Sequence, residues 1–141
     1  MKGFTATLPS GAAIHYVDRK RWLWAMSVLY PLEPLLGMWL HSATGNEIWL
    51  LLPVFLNFGV GPVVDLLLGE DRANPPEAVV MQLDRDRYYR RLTYAAVPLH
   101  FVTLISAAWY AGTQDLSLGG TLGLAFVAGM TAGLAINTGH E

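Results

Sequence analysis

Two residues at the end of the sequence have the types and order that metal chemistry needs. His140 and Glu141 follow Asn137-Thr138-Gly139, directly after a long apolar run. A His-Glu pair is the front half of an H-E-x-x-H pattern. On a helix that spacing puts two histidines one turn apart on one face, where both can reach the same metal. The second histidine would fall after residue 141. The expectation is therefore that the sequence breaks off inside a metal motif and that this piece does not perform the chemistry alone. His140 is the candidate metal ligand, and Glu141 a candidate catalytic carboxylate.

Other polar residues fall inside apolar stretches, where they are costly in lipid and tend to be functional. Asp65 lies about one turn from the end of one such stretch, at a depth expected to match that of His140. It either orients a ring nitrogen of that histidine or acts as an interface anchor, snorkelling to the surface or pairing with a nearby arginine. His100 lies near mid-stretch and reads as a histidine hydrogen-bonded between helices, with a relay or ligand role as the alternative. Glu33 and Asn57 are also buried by position. Asn57 is expected to line a cavity or bond across helices. His15 and His41 receive no role. The sequence contains no cysteine, so a transition metal would rely on histidine and carboxylate, a donor set suited to iron, manganese or zinc.

The elements that would position these residues belong to a membrane protein. Charged residues make up 14% of the chain and apolar residues 53%, against about 25% charged in soluble domains. A net charge of −2 gives no case for a nucleic-acid partner. Residues 1–18 lack the apolar core of a cleavable signal peptide. Four segments, 22–40, 48–68, 92–111 and 116–136, are each long enough to cross the hydrocarbon layer, which takes about 20 helical residues. The predicted fold class is an all-α integral membrane bundle with four spans in this chain. Residues 1–21 form an N-terminal segment and 22–141 the transmembrane domain. Pro31 and Pro34 predict a kinked first span, and Pro53, Pro62 and Pro98 further bends. Gly129 and Gly133 form a small-xxx-small pair, read as a thin helix in a tight bundle rather than as a dimer motif.

All nine Lys and Arg residues fall on one side of a four-span arrangement. Lys2, Arg19, Lys20 and Arg21 precede the first span. Arg72, Arg85, Arg87, Arg90 and Arg91 lie between the second and third. The positive-inside rule then places the N-terminus, loop 69–91 and the His140-Glu141 end in the cytoplasm. Trp22, Trp24, Trp39, Trp49, Trp109 and Tyr110 sit near span ends, as an aromatic belt requires. Within the loop, Asn74-Pro75-Pro76 breaks any helix, and Pro76 to Arg91 predicts a short helix with Val79, Val80, Leu83 and Tyr88 on an apolar side. Arg85, Arg87, Arg90 and Arg91 read as topology anchors near lipid headgroups, a reading compatible with a docking surface for an acidic protein.

Several stretches, in order along nearly the whole chain, resemble the membrane-bound alkane 1-monooxygenases. Asn137-Thr138-Gly139-His140-Glu141 resembles their first histidine motif. Asp65-Leu66-Leu67-Leu68-Gly69-Glu70-Asp71 followed by Asn74-Pro75-Pro76-Glu77 looks like their cytoplasmic loop. Arg87-Tyr88-Tyr89-Arg90, then Leu92-Thr93-Tyr94 and Val97-Pro98-Leu99-His100, looks like the entry to their third helix. Tyr16-Val17-Asp18-Arg19-Lys20-Arg21-Trp22-Leu23-Trp24 resembles their N-terminal approach.

The resemblance implies a non-haem di-iron hydroxylase of the bacterial inner membrane that oxidises the terminal methyl of alkanes with O₂ and electrons from rubredoxin. It implies a six-helix bundle holding two irons on its cytoplasmic side, with His140 as a ligand from this chain. An apolar pocket with Val54, Asn57, Phe58 and Gly61 would take the alkane from the bilayer. Asn57 in place of a bulky aromatic implies a deeper pocket. Related readings are a xylene-type hydroxylase, a fatty-acid desaturase, or a non-catalytic four-helix membrane protein.

Overall fold

The computed structural model describes residues 2–8, 10–69 and 75–139, with side chains as far as Gly133. It begins with a hairpin that the sequence reading did not draw. Strands β1 (Gly3–Thr7) and β2 (Ala13–Val17) pair antiparallel, Phe4 opposite Tyr16 and Ala6 opposite Ile14. Gly11, at φ 83°, supplies the left-handed residue that the tight connection needs. A two-stranded hairpin is marginal alone. Here β1 rests on α4 (Glu77–Asp84): Phe4 and Val79 are both buried, and the Gln82 amide donates to the Thr5 carbonyl at 2.8 Å.

The rest is helical. Leu23–Thr44 is the first rod. Its first half is 3₁₀, over Leu23–Val28 and Tyr30–Leu32, and α1 proper runs Glu33–Thr44. Pro31 and Pro34 remove two backbone donors, and the rod winds as 3₁₀ up to Leu32. The Pro31 carbonyl instead accepts from Thr103 Oγ1 at 2.5 Å. Gly45, at φ 70°, ends α1.

The second rod, Glu47–Leu68, changes winding three times. It runs from a 3₁₀ turn (Glu47–Leu51) through α2 (Leu52–Val54) and a π segment (Phe55–Val60) to α3 (Gly61–Leu68). The prolines at 53 and 62 flank the π segment, which is where wide turns relieve a broken ladder.

Glu77–Asp84 and the third rod do not form the single loop helix that Pro76–Arg91 predicts. The Asp86 side chain accepts from Tyr88 N–H at 2.8 Å and starts α5, which runs Arg87–Thr113, from before Leu92 to beyond Ala111. Pro98 sits within it. The last helix, α6, runs Leu118–Gly139.

These rods close around Met38, Leu50, Ala107, Tyr110 and Leu124, with Leu35 and Leu116 packed against them. Backbones approach closely there. A Cβ on Gly37 would stand 2.6 Å from the Trp49 carbonyl oxygen, and one on Gly120 would meet the Glu47 carboxylate. Nothing in the described chain approaches Gly129 or Gly133, so the small residues that admit a neighbour are Gly37, Gly120 and Gly123 instead. Three of the four rods, Leu23–Thr44, Glu47–Leu68 and Arg87–Thr113, are long and apolar enough to cross a membrane, and the described part of the fourth, Leu118–Gly133, is a shorter apolar helix. The architecture is an all-α membrane-type bundle carrying a small hairpin.

Candidate functional site

His140 and Glu141 lie outside the described residues. Asp65 lies on α3, exposed, and its carboxylate bonds to no described side chain. Its relation to His140 therefore stays an expectation. Among the described residues no three His, Asp or Glu side chains come together as a metal site. His15 Nδ1 is 3.2 Å from Thr5 Oγ1. His41 Nδ1 is 2.7 Å from the Tyr110 hydroxyl, which also meets Ser42 Oγ and the Met38 carbonyl. Both histidines bond to hydroxyl groups rather than to carboxylates among the described residues.

Mid-rod, the polar residues do come together. Glu33, Asn57 and His100 each fall near the centre of their rods. Asn57 Nδ2 donates to Glu33 Oε2 at 2.8 Å and to the Pro53 carbonyl at 2.8 Å. Asn57 thus bonds across helices, as expected, from inside the π segment. His100 Nδ1 donates to the Ala96 carbonyl at 2.8 Å, within its own helix rather than between helices, which leaves Nε2 as the acceptor. That Nε2 and, on the first rod, the Tyr30 hydroxyl are buried without partners among the described residues. Of the expected pocket residues, Phe58 is 69% exposed, while Val54, Asn57 and Gly61 are half-buried. At Phe58 that face of the second rod is uncovered among the described residues.

The most organised polar region is at the hairpin end, and the sequence reading missed its pairings. Asp18, buried, accepts from Lys20 N–H at 2.8 Å, Trp24 Nε1 at 3.2 Å and the Tyr89 hydroxyl at 2.5 Å. Asp86, also buried, accepts from Lys2 Nζ at 2.5 Å and Arg21 Nη2 at 3.1 Å. The Arg21 guanidinium lies 4.3 Å from the Tyr88 ring centre, and the Tyr88 hydroxyl donates to the Arg21 carbonyl. The Lys2 ammonium bonded to it, with the Tyr88 N–H and the Arg21 charge, holds the Asp86 carboxyl below its ordinary 3.8, against the opposing effect of burial. Beside Asp86 opens a cavity of about 570 Å³ walled by Lys2, Arg21, Arg85, Arg87 and Arg91. The signal available in sequence was two acidic residues, at 18 and 86, each set among basic and aromatic residues.

No family model matches the chain. Individual relatives do. The chain is 51% identical over 126 residues to Alkane 1-monooxygenase 1 of Alcanivorax borkumensis, covering 89% of this chain and 31% of that protein. It is 45% identical over 141 residues to Alkane 1-monooxygenase of Pseudomonas putida, covering 100% and 35%. It is 46% identical over 130 residues to that of Ectopseudomonas oleovorans, covering 92% and 32%. The chain thus spans about a third of the length of the curated relatives it matches. By identity along nearly its whole length, it is a homologue of part of the alkane 1-monooxygenases.

Proposed function

We propose that this chain is part of a membrane monooxygenase that hydroxylates the terminal methyl of alkanes. The observation that carries the reading is 51% identity over 89% of the chain to a protein named for that activity. Three rods apolar enough to span a bilayer support the membrane setting. The segregation of every Lys and Arg to the segments before the first span and between the second and third supports an inner-membrane orientation with that side cytoplasmic.

An unactivated C–H bond needs a metal-based oxidant, since side chains alone do not supply one. Two non-haem irons would provide it in the whole protein, with O₂ as co-substrate and rubredoxin as electron donor. His140 is the proposed ligand from this chain, with Glu141 and Asp65 as carboxylates beside it. With His140 as its one proposed ligand, the 141-residue chain is proposed to bind no iron and oxidise nothing. The alkane would lie against the second rod near Val54, Phe58 and Gly61, where apolar side chains and the loosely wound π segment are open. Asn57, tied to Glu33, would set the polar limit of that surface.

The test is alkane hydroxylation and iron content of the whole protein with and without His140→Ala. The variant is expected to lose activity outright rather than raise KM alone, because a ligand supports the oxidant itself. Normal octane hydroxylation by the variant, or iron bound stoichiometrically to residues 1–141 alone, would refute the assignment.

A further inference from the structure

The cavity beside Asp86 is not used by the proposed chemistry. Its walls come from three separated parts of the chain: Lys2 before the hairpin, Arg21 before the first rod, and Arg85, Arg87 and Arg91 around the start of α5. Five cations therefore surround one carboxylate. Asp86 is already satisfied by Lys2 and Arg21. Arg85, Arg87 and Arg91 are exposed and form no ion pair with the described residues. Arg87 and Arg91 are one turn apart, so they share a face of α5. A concave site with surplus guanidinium groups matches a phosphate, which takes paired N–H donors in a fork.

Position decides the source of that phosphate. The cavity opens where α5, a rod long enough to span a bilayer, begins. Trp22 and Trp24, next to Arg21, are both exposed, and indole rings favour the headgroup level. A volume of about 570 Å³ admits a phosphodiester with its glycerol. We propose that this cleft binds the phosphate headgroup of an anionic phospholipid. Lys2 and Arg21, held by Asp86, form its fixed wall. Arg85, Arg87 and Arg91 close on the phosphate. The inference does not depend on the catalytic reading.

The experiment is native mass spectrometry of the whole protein in detergent, titrated separately with phosphatidylglycerol, phosphatidylcholine and inorganic phosphate. Phosphatidylglycerol should be retained and phosphatidylcholine lost. Each basic residue near an anionic lipid surface is worth about fivefold in affinity, so Arg85→Gln, Arg87→Gln and Arg91→Gln together should cost on the order of a hundredfold. The triple lysine variant at the same positions keeps the charge and gives up only the paired donors, so it should lose clearly less than the glutamine variant, and it guards against a loss caused by misfolding. Equal retention of both lipids, full retention by the glutamine variant, or equal loss in both variants would each overturn the proposal. Displacement of phosphatidylglycerol by equimolar inorganic phosphate would assign the cleft to a soluble anion instead.

Discussion

The two ends of the second rod differ in what covers them, although both are apolar. Toward Glu47, Leu50 is 1% exposed, the Trp49 carbonyl lies against Gly37, and Leu51 packs on Gly123. Toward Leu68, Leu66, Leu67 and Leu68 are 83%, 78% and 80% exposed, and Asp65 stands beside them. Composition alone would treat these ends alike. Packing separates them: one is the closed end of the bundle, where α1, the rod and α6 meet, and the other offers an apolar face to lipid or to further protein. The comparison teaches that an apolar run locates a span but says nothing of which part of it is interior.

The sharpest test of the arrangement is orientation, because its outcome is all or none. The closed end carries Gln114 and the hairpin end carries Arg85, both exposed. In the proposed topology a cysteine at Gln114 labels from outside the cell and one at Arg85 does not. Labelling of the Arg85 position from outside would invert the bundle and remove the case for cytoplasmic carboxylates at Asp65.

Next in size is the closed core. Leu50→Ala should destabilise the whole protein by about 3 kcal/mol, as large-to-small changes at fully buried leucines do. Gly37→Ala should cost about as much by the opposite route, since its new Cβ meets a backbone carbonyl that has little room to yield. Both can be read from the midpoint of unfolding in mixed micelles. Effects below about 0.5 kcal/mol at both positions would mean the closed end is not closed.

The hairpin end should respond more weakly and with a pH signature. Asp86→Ala removes an N-cap and the partner of two cations, for about 1–2 kcal/mol. Because the folded carboxyl titrates below its ordinary 3.8, its contribution is complete above about pH 4 and is lost as pH falls through the folded value. Asp86→Asn should therefore flatten the acid limb of the stability profile while leaving the neutral region lower. An acid limb of unchanged slope in the variant would detach Asp86 from hairpin docking.

What was legible in the sequence follows from the same contrast. The rods were legible because apolar length is a local property, and Asn57 as a cross-helix donor was legible because an amide inside an apolar run has few other options. The hairpin was not. The alternation of Phe4, Ala6, Ile14 and Tyr16 with polar residues is short, and β1 is held by Val79 and Gln82, far along the chain. The break at Asp86 was missed although Asp is a weak helix former and a favoured N-cap, because the side chain that makes the cap is fixed from a distance by Lys2 and Arg21. The 3₁₀ and π windings were also hidden, since prolines announce a disturbance but not its form. Of the candidate site, the sequence offered types and spacing for His140, Glu141 and Asp65, but only Asp65 lies within the described residues, and no partner there tests its role.

The smallest expected effect is also the one that sharpens the comparison most. At the open end, Leu67→Ala removes a side chain that is already exposed within this chain. If lipid alone covers that face, the leucine leaves one apolar environment for another on unfolding within the bilayer, because lipid tails are as apolar as leucine. The change should then fall within about 0.5 kcal/mol. If further protein packs there, Leu67→Ala in the whole protein opens a cavity and should cost several times more, approaching the value for Leu50→Ala. Measuring both variants in the whole protein and in residues 1–141 separates the cases. A large cost only in the whole protein identifies the Asp65–Leu68 face as a seam that further protein closes, and a small cost in both leaves it to lipid. A large cost in residues 1–141 alone would contradict the exposure of Leu67 and erase the distinction between the two ends.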